Sequence, residues 1–137
     1  MKESDYINLL KEAKKARKNA YCPHSGFAVG AALLCARGNI VTGCNVENAA
    51  FFSICAEQNA LAKAISEGEK DFVAMAVSGA PVGQEGKYCP PCGTCRQMMT
   101  ELCEPEKFEI ILNTEEGYAV FKLSTLFPEA FELGASK

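Results

Sequence analysis

The chain has 137 residues, of which 48% are hydrophobic and 23% charged, and this composition predicts one compact domain over residues 1–137. A balance of 14 basic and 17 acidic side chains, without a long lysine or arginine run, argues against a nucleic-acid partner held through phosphate contacts. No apolar stretch approaches the roughly 20 residues that a bilayer requires, which argues against a membrane-spanning protein.

The first half of the chain predicts a helix, a hairpin and a second helix. Apolar residues at helical spacing predict a helix from Ser4, a candidate N-cap, to Ala20. The runs 27–35 and 40–46 flank a turn signal and predict two paired strands. After Cys55 the apolar period becomes helical again and ends at Gly68.

The second half alternates strands and helices. Residues 72–78 predict a short buried strand, and a loop rich in glycine and proline, 79–91, leads to a helix that begins near Cys92. Residues 108–112 and 118–121 predict two more strands, and a short helix follows near residue 126. This order predicts an α/β fold, a three-layer α/β/α sandwich around a mixed five-stranded sheet.

Cysteine is unusually abundant in this chain, which has eight, at positions 22, 35, 44, 55, 89, 92, 95 and 103. A small secreted protein would use them as disulfides, but the N-terminal residues do not form an export signal. We therefore expect a reducing, cytoplasmic setting in which about three clustered cysteines bind a metal and the others fill the core.

The spacing Cys89-Pro-Pro-Cys92-Gly-Thr-Cys95 contains two overlapping C-x-x-C pairs, which bring sulfurs close enough to share a cation. Cys55 lies upstream, two residues before Glu57. The favoured ligands are Cys55, Cys92 and Cys95, because two of them fall at predicted helix N-termini, where the helix dipole stabilises thiolates. Cys89 stays open between a loop residue and a fourth ligand, and a redox pair is a further alternative. Three ligands predict a catalytic zinc, whereas four predict a structural one.

The segments Cys55-Ala56-Glu57 and Pro91-Cys92-Gly93-Thr94-Cys95 together resemble the zinc-dependent cytidine deaminases. Residues 21–33, 43–50 and 126–131 resemble other segments of that family, so the resemblance covers nearly the whole chain. A cysteine at the first ligand position is typical of the small members that act on free nucleosides. The resemblance implies one Zn²⁺ per chain, a homotetramer, and hydrolysis of cytidine and deoxycytidine to uridine and deoxyuridine with release of ammonia in pyrimidine salvage.

The resemblance also implies how the chemistry is divided among residues. A zinc-activated hydroxide would attack C4 of cytosine, and Glu57 would pass a proton to N3 and then to the departing ammonia. The arginine that usually follows this glutamate is replaced by Gln58, whose amide can donate hydrogen bonds to sulfur but supplies no charge. Arg96, next to Cys95, would then carry more of the charge compensation near the metal.

Five residues are implied in substrate binding. Asn45 and Glu47 would bind the ribose 3′-hydroxyl, although they could instead only end a strand and cap a turn. Phe27 would pack on the base, Ala56 would line the pocket, and Phe131 would reach into a neighbouring subunit's pocket. A carboxylate at the sugar disfavours phosphorylated substrates.

The segment 50–55 is one residue shorter than the usual link, so the preference between the two nucleosides stays open. Two other functions also stay open: deamination of a cytosine-containing nucleoside antibiotic, and a non-catalytic structural-zinc module completed by Cys89.

Overall fold

Helices and strands follow one another in the predicted order in the computed structural model, which describes residues 1–50 and 52–133. The helices are α1 (Glu3–Ala16), α2 (Ala56–Ser66), α3 (Gly93–Leu102) and α4 (Leu123–Leu126). The strands are β1 (Phe27–Cys35), β2 (Ile40–Cys44), β3 (Phe72–Pro81), β4 (Glu109–Thr114) and β5 (Gly117–Lys122). Across these two ranges, no helix has the length and apolar character needed to cross a membrane.

The first helix differs from its prediction at both ends. It begins one residue before Ser4, so the predicted N-cap is wrong: Lys2 occupies that position, and its backbone N–H donates to the Asp5 carboxylate at 2.8 Å. It also ends before Ala20, because the chain tightens into a 3-10 turn over Arg17–Asn19. The Arg17 side chain then donates to backbone carbonyls of β1 and β3, which fixes the end of the helix against the sheet.

The sheet is mixed and has the strand order β2-β1-β3-β4-β5, which confirms the predicted five-stranded sheet. The β3–β4 pair is parallel and the other three pairs are antiparallel. β3 continues three residues beyond the predicted Ser78, because it pairs along all of β1 up to Phe27 opposite Pro81. The start of β1, the end of β2 and the end of β3 therefore meet at one edge of the sheet.

Each face of the sheet buries its own apolar core, as a three-layer sandwich requires. On one face α1 covers a core of small and aliphatic side chains: Leu9, Leu10, Ala13, Ala32, Ala74, Ala76 and Ile111. On the other face α2, α3 and α4 cover a larger core that includes Leu33, Leu61, Met75, Val77, Met99, Ile110, Leu112 and Leu123. The predicted α/β/α architecture is confirmed.

Two glycines allow helices to approach the sheet closely, one on each face. A Cβ atom on Gly30 of β1 would lie 2.0 Å from the carbonyl oxygen of Ala13 in α1. A Cβ atom on Gly43 of β2 would lie 2.6 Å from the carbonyl oxygen of Ala56, the first residue of α2. Glycine at these positions is therefore required by the backbone of the opposing helix rather than by a turn.

Candidate metal centre and active site

The structure brings together the three predicted metal ligands. Cys55 is the N-cap of α2, Cys92 is the N-cap of α3, and Cys95 lies in the first turn of α3. Their sulfur atoms all lie within 4.8 Å of one another, and those of Cys92 and Cys95 are 3.6 Å apart. Tetrahedral zinc with Zn–S bonds of about 2.3 Å requires sulfurs about 3.8 Å apart, so the three thiols fit this ion.

Cys89 lies outside the three-sulfur group. It packs against the core, and its sulfur would be 2.7 Å from a Cβ atom on Gly79. Burial, aided by the negative charge of Glu57, raises the pKa of the Cys89 thiol to about 11. Because Cys89 lies outside the group, three sulfurs face one another and a fourth ligand position stays open, which is the arrangement of a catalytic zinc. This counts against the structural-zinc module.

The pKa values of Cys55 and Cys95 are shifted in opposite directions. Hydrogen bonding from Cys95 lowers the pKa of Cys55 to about 6; burial opposes that shift, and a hydrogen bond from Cys92 adds to it. The pKa of Cys95 is raised, because its proton is held in the hydrogen bond to Cys55 and because the side chain is buried. Cys55 is therefore a thiolate near neutral pH, which is the form that binds zinc.

Glu57, the second residue of α2, places a carboxyl group beside the sulfurs. The residue is only 4% exposed, and this burial raises its pKa to about 7. The Cys55 charge also raises the pKa of Glu57, whereas hydrogen bonds from the Glu57 backbone N–H and from Cys95 lower it. A carboxyl group in hydrogen-bonding reach of Cys95 is placed to exchange protons with a water molecule at the metal.

Gln58 and Arg96, the residues expected to offset thiolate charge, contact backbone next to the ligands. Gln58 Oε1 accepts a hydrogen bond from the Cys55 N–H at 3.0 Å. Arg96 Nε donates to the Pro91 carbonyl at 2.7 Å, immediately before Cys92, and another guanidinium nitrogen donates to the Leu126 carbonyl. Their proposed effect on the charge of the sulfurs stays a prediction.

Asn45 and Phe27 lie together at the edge of the sheet where the start of β1 meets the end of β2. Asn45 follows β2, and its side chain bridges to β1: Oδ1 accepts from the Val29 N–H and Nδ2 donates to the Phe27 carbonyl, both at 2.8 Å. Phe27 is 38% exposed. The amide thus ties two strand ends together and keeps one further N–H for a ligand.

Glu47 anchors the loop that precedes β1. Its Oε1 accepts the backbone N–H groups of His24 at 2.9 Å and Ser25 at 3.1 Å, and its Oε2 accepts the Ser25 hydroxyl. These hydrogen bonds, led by the one from the Ser25 hydroxyl, lower the pKa of Glu47. The predicted structural and binding roles are compatible, because each carboxylate oxygen has two acceptor positions.

Ser25 is a hydrogen-bond partner of Glu47 that the sequence did not predict. The available signal was a hydroxyl residue in the loop before β1, but nothing local connects it to a carboxylate 22 residues away.

The two other predicted substrate contacts lie in different environments. Ala56 is fully buried at the start of α2, whereas Phe131 is 64% exposed. The Phe131 carbonyl accepts a hydrogen bond from Gln97 Nε2 at 2.9 Å, which ties the C-terminal segment to the helix that carries Cys95.

The shortened link before Cys55 is closed by Asn48. Its Nδ2 donates to the Phe52 carbonyl at 2.7 Å, and Val46 and Ile54 then form a two-residue antiparallel bridge. Residue 51 of this link lies outside the described residues.

Known proteins with the same pattern are deaminases. Residues 3–110 match the family model described as the cytidine and deoxycytidylate deaminase zinc-binding region. The cytidine deaminase of Halalkalibacterium halodurans is 45% identical over 124 residues, which is 90% of this chain and 91% of that protein. The cytidine deaminase of Sporosarcina psychrophila is 41% identical over 93% of this chain and 91% of its own length.

Solved structures agree with these matches. The crystal structure of cytidine deaminase from Burkholderia pseudomallei superposes with a TM-score of 0.82 at 39% identity, covering 96% of this chain and 100% of that chain. A dCMP deaminase from cyanophage S-TIM5, at 23% identity and a TM-score of 0.55, shares the fold alone. The fold, the three clustered cysteines and the matches over most of the chain together confirm the predicted resemblance: the chain belongs to the zinc-dependent cytidine and deoxycytidylate deaminase family.

Proposed function

We propose that the chain is a cytidine deaminase, which hydrolyses cytidine and deoxycytidine to uridine and deoxyuridine with release of ammonia in pyrimidine salvage. The observation that carries this proposal is the buried Glu57 carboxyl beside three cysteine sulfurs that lie within 4.8 Å of one another. A structural zinc site has no chemical use for such a carboxyl. The similarity to cytidine deaminases over about nine-tenths of the chain supports the same activity.

The chain's own residues account for the proton transfers. Cys55, Cys92 and Cys95 would hold the zinc, which would make a water molecule acidic enough to lose a proton near neutral pH. Glu57 accepts that proton and delivers it to N3 of cytosine as the water oxygen bonds to C4. Glu57 then takes the second proton from the new hydroxyl on C4 and gives it to the exocyclic nitrogen, so the C4–N4 bond breaks, the C4 carbonyl forms and ammonia leaves.

The residues at the edge of the sheet where β1 starts and β2 ends support an uncharged nucleoside as substrate. Glu47 places a carboxylate there, and we assign the ribose 3′-hydroxyl to its one remaining acceptor position, on Oε2, and to the second N–H of the Asn45 amide. Phe27 packs on the base, and Ala56 lines the pocket from the start of α2. A 5′-phosphate near Glu47 would meet like-charge repulsion.

A substrate panel tests the activity. Purified protein is assayed by the loss of cytosine absorbance on cytidine, deoxycytidine, their 5′-monophosphates, free cytosine and a cytosine nucleoside with a modified sugar. We expect turnover of the first two, loss of turnover after chelation, and recovery on adding Zn²⁺. No turnover of either nucleoside by zinc-loaded protein contradicts the proposal, and turnover of the modified-sugar compound alone supports the antibiotic deaminase instead.

We also propose that the single domain works as a homotetramer in the cytoplasm, with pockets completed by neighbouring subunits. Exposed apolar side chains near the site support this assembly: Phe52, Ile54, Phe131 and Leu133. The eight free cysteines support a reducing compartment. Light scattering measures the mass in solution, and a mass of one chain in an active preparation contradicts the assembly.

Activity in mixed subunits tests the shared pocket. At a cytidine concentration far below the KM of Phe131→Ala, the Glu57→Gln and Phe131→Ala chains should each show little turnover, but a tetramer refolded from both should recover part of the activity. Recovery is expected because some pockets then receive an intact Glu57 from one chain and an intact Phe131 from another.

A further inference from the structure

Gln58 forms a reciprocal capping box with a residue that is also a metal ligand. Gln58 is the third residue of α2, and its Oε1 accepts the backbone N–H of the N-cap Cys55 at 3.0 Å. In return, the Cys55 side chain accepts from the Gln58 backbone N–H. Serine or threonine usually occupies the N-cap of this motif, so here a cysteine combines the cap with metal binding.

The backbone around Cys55 is held on three sides. The Gln58 side chain accepts the Cys55 N–H. The Cys55 carbonyl accepts the Asn59 N–H at 3.0 Å within the helix. The preceding residue, Ile54, exchanges two backbone hydrogen bonds with Val46, both at 2.9 Å. Of these contacts, only the one from Gln58 depends on a side chain, so it is the one that a substitution can remove.

We propose that Gln58 is a positioning residue, which fixes the Cys55 backbone so that its sulfur is held in place for zinc. The proposal rests on the proposed zinc site. The oxygen of the Gln58 amide faces the ligand's backbone, and an arginine at this position has no acceptor with which to make that contact. This chain therefore gains a fixed ligand where the usual arginine would supply charge.

The rate of zinc release can distinguish a positioning role of Gln58 from an electrostatic one. Two substitutions change the hydrogen-bond acceptor and the donor of the glutamine amide separately. Gln58→Glu keeps the acceptor oxygen and removes the donor, whereas Gln58→Arg keeps donors, adds a positive charge and removes the acceptor. Zinc-loaded proteins are mixed with excess chromogenic chelator, and the rate of colour formation gives the rate of zinc release. We expect Gln58→Glu to release zinc no faster than wild type and Gln58→Arg to release it about tenfold faster, as for other residues that orient metal ligands.

Lys63→Ala is the matched control on the same helix. The Lys63 ammonium donates to the Thr42 carbonyl at 2.5 Å, so this variant also loses one hydrogen bond between a side chain and the backbone, but away from the ligands. It should release zinc at the wild-type rate, and release as fast as in Gln58→Arg would overturn the inference, since general loosening of α2 would explain both.

Two further outcomes decide the matter. Slow release from Gln58→Arg together with fast release from Gln58→Glu overturns the positioning role and assigns Gln58 to charge or donation. A wild-type chain that binds no zinc overturns the proposed function along with this inference, whereas zinc binding with the wrong order of variants overturns the inference alone.

Discussion

Two regions of the site differ in burial: the metal pocket, formed by Cys55, Glu57, Cys92 and Cys95, and the proposed substrate rim, formed by Phe27, Asn45, Glu47 and Phe131. In the metal pocket Glu57 is 4% exposed and Cys95 is fully buried, and both lie in the first turn of a helix. In the substrate rim Phe27 is 38% and Phe131 64% exposed, at the beginning of a strand and in the C-terminal segment. The chain thus buries Glu57 and Cys95 by itself, although Cys92 is exposed, and it leaves the rim open to solvent.

The difference indicates which kinetic step each region controls. Side chains that are fixed before substrate arrives act on the chemical step, because their geometry is already set. Side chains on an open rim are ordered as the substrate binds and act on affinity. Substitutions in the pocket should therefore lower kcat, and substitutions on the rim should raise KM.

The largest expected effect is that of Glu57→Gln. It removes proton transfer without removing a ligand, so kcat should fall about 10²–10⁴-fold while zinc content stays at one per chain. Steady-state kinetics and metal analysis measure the two quantities. Glu69→Gln is the matched control, because Glu69 is equally buried at 6% exposure but pairs with Arg37 at 2.6 Å, and it should keep wild-type turnover. Unchanged kcat in the Glu57 variant would sink the proton-transfer role.

On the rim, Glu47→Gln should act mainly through KM. The amide still accepts the two backbone N–H groups of the loop but lacks the charge, so kcat/KM on cytidine should fall about tenfold. Comparison with 3′-deoxycytidine localises the effect. Wild type should lose a similar factor on that substrate, and the variant should lose little more. If the substitution and the removal of the 3′-hydroxyl instead lower kcat/KM by independent factors that multiply, the 3′-hydroxyl does not contact Glu47.

The metal pocket could be predicted further from sequence than the rim, and the reason is separation along the chain. Cys92 and Cys95 lie one helical turn apart, so their spacing alone brings the sulfurs together. Cys55 required the prediction of a helix start. The contact between Glu47 and Ser25 spans 22 residues and joins the loops that precede β1 and follow β2, which the pattern of the predicted hairpin does not specify.

The same reasoning explains the misplaced element boundaries. The true end of β3 depends on its register with β1, and the end of α1 depends on where the Arg17 side chain meets the sheet. The spacing of Cys55 and Gln58 does match a capping box, but a cysteine N-cap is not a usual member of that motif. The sequence therefore showed that Gln58 replaces the usual arginine, but it did not predict the contact of Gln58 with the Cys55 backbone.

Two glycine substitutions test whether the close approach of α2 to the sheet keeps the metal ligands in place. Gly43→Ala forces the new methyl group against the α2 backbone at Ala56, so it should cost about 1–3 kcal/mol in the free energy of unfolding and also speed zinc release. Gly30→Ala forces α1 away at Ala13 and should destabilise at least as much, with zinc release unchanged. Denaturant unfolding measures the stability of each variant, and chelator kinetics measure its rate of zinc release. Together they show whether only the α2 face of the sheet affects the metal site. Faster zinc release from the Gly30 variant would show that the pocket depends on the whole sandwich.

The smallest effect is expected at Tyr6, on the face away from both regions. Its hydroxyl donates to Glu109 Oε1 at 2.9 Å, so Tyr6→Phe should lower the free energy of unfolding by about 1 kcal/mol at neutral pH without changing kcat or KM. Burial, aided by this hydrogen bond, raises the pKa of Tyr6 from 10.0 to about 12.

That raised pKa gives the difference in stability between wild type and Tyr6→Phe a defined pH dependence. The folded state holds the phenol proton more tightly than the unfolded state does. The stabilisation is therefore complete below pH 10 and is lost as the pH rises towards 12. Unfolding curves of the two proteins should converge over this interval, because ionised Tyr6 faces the Glu109 carboxylate. A constant difference from neutral pH to pH 12 would show that Tyr6 contributes through packing of its ring rather than through its hydroxyl.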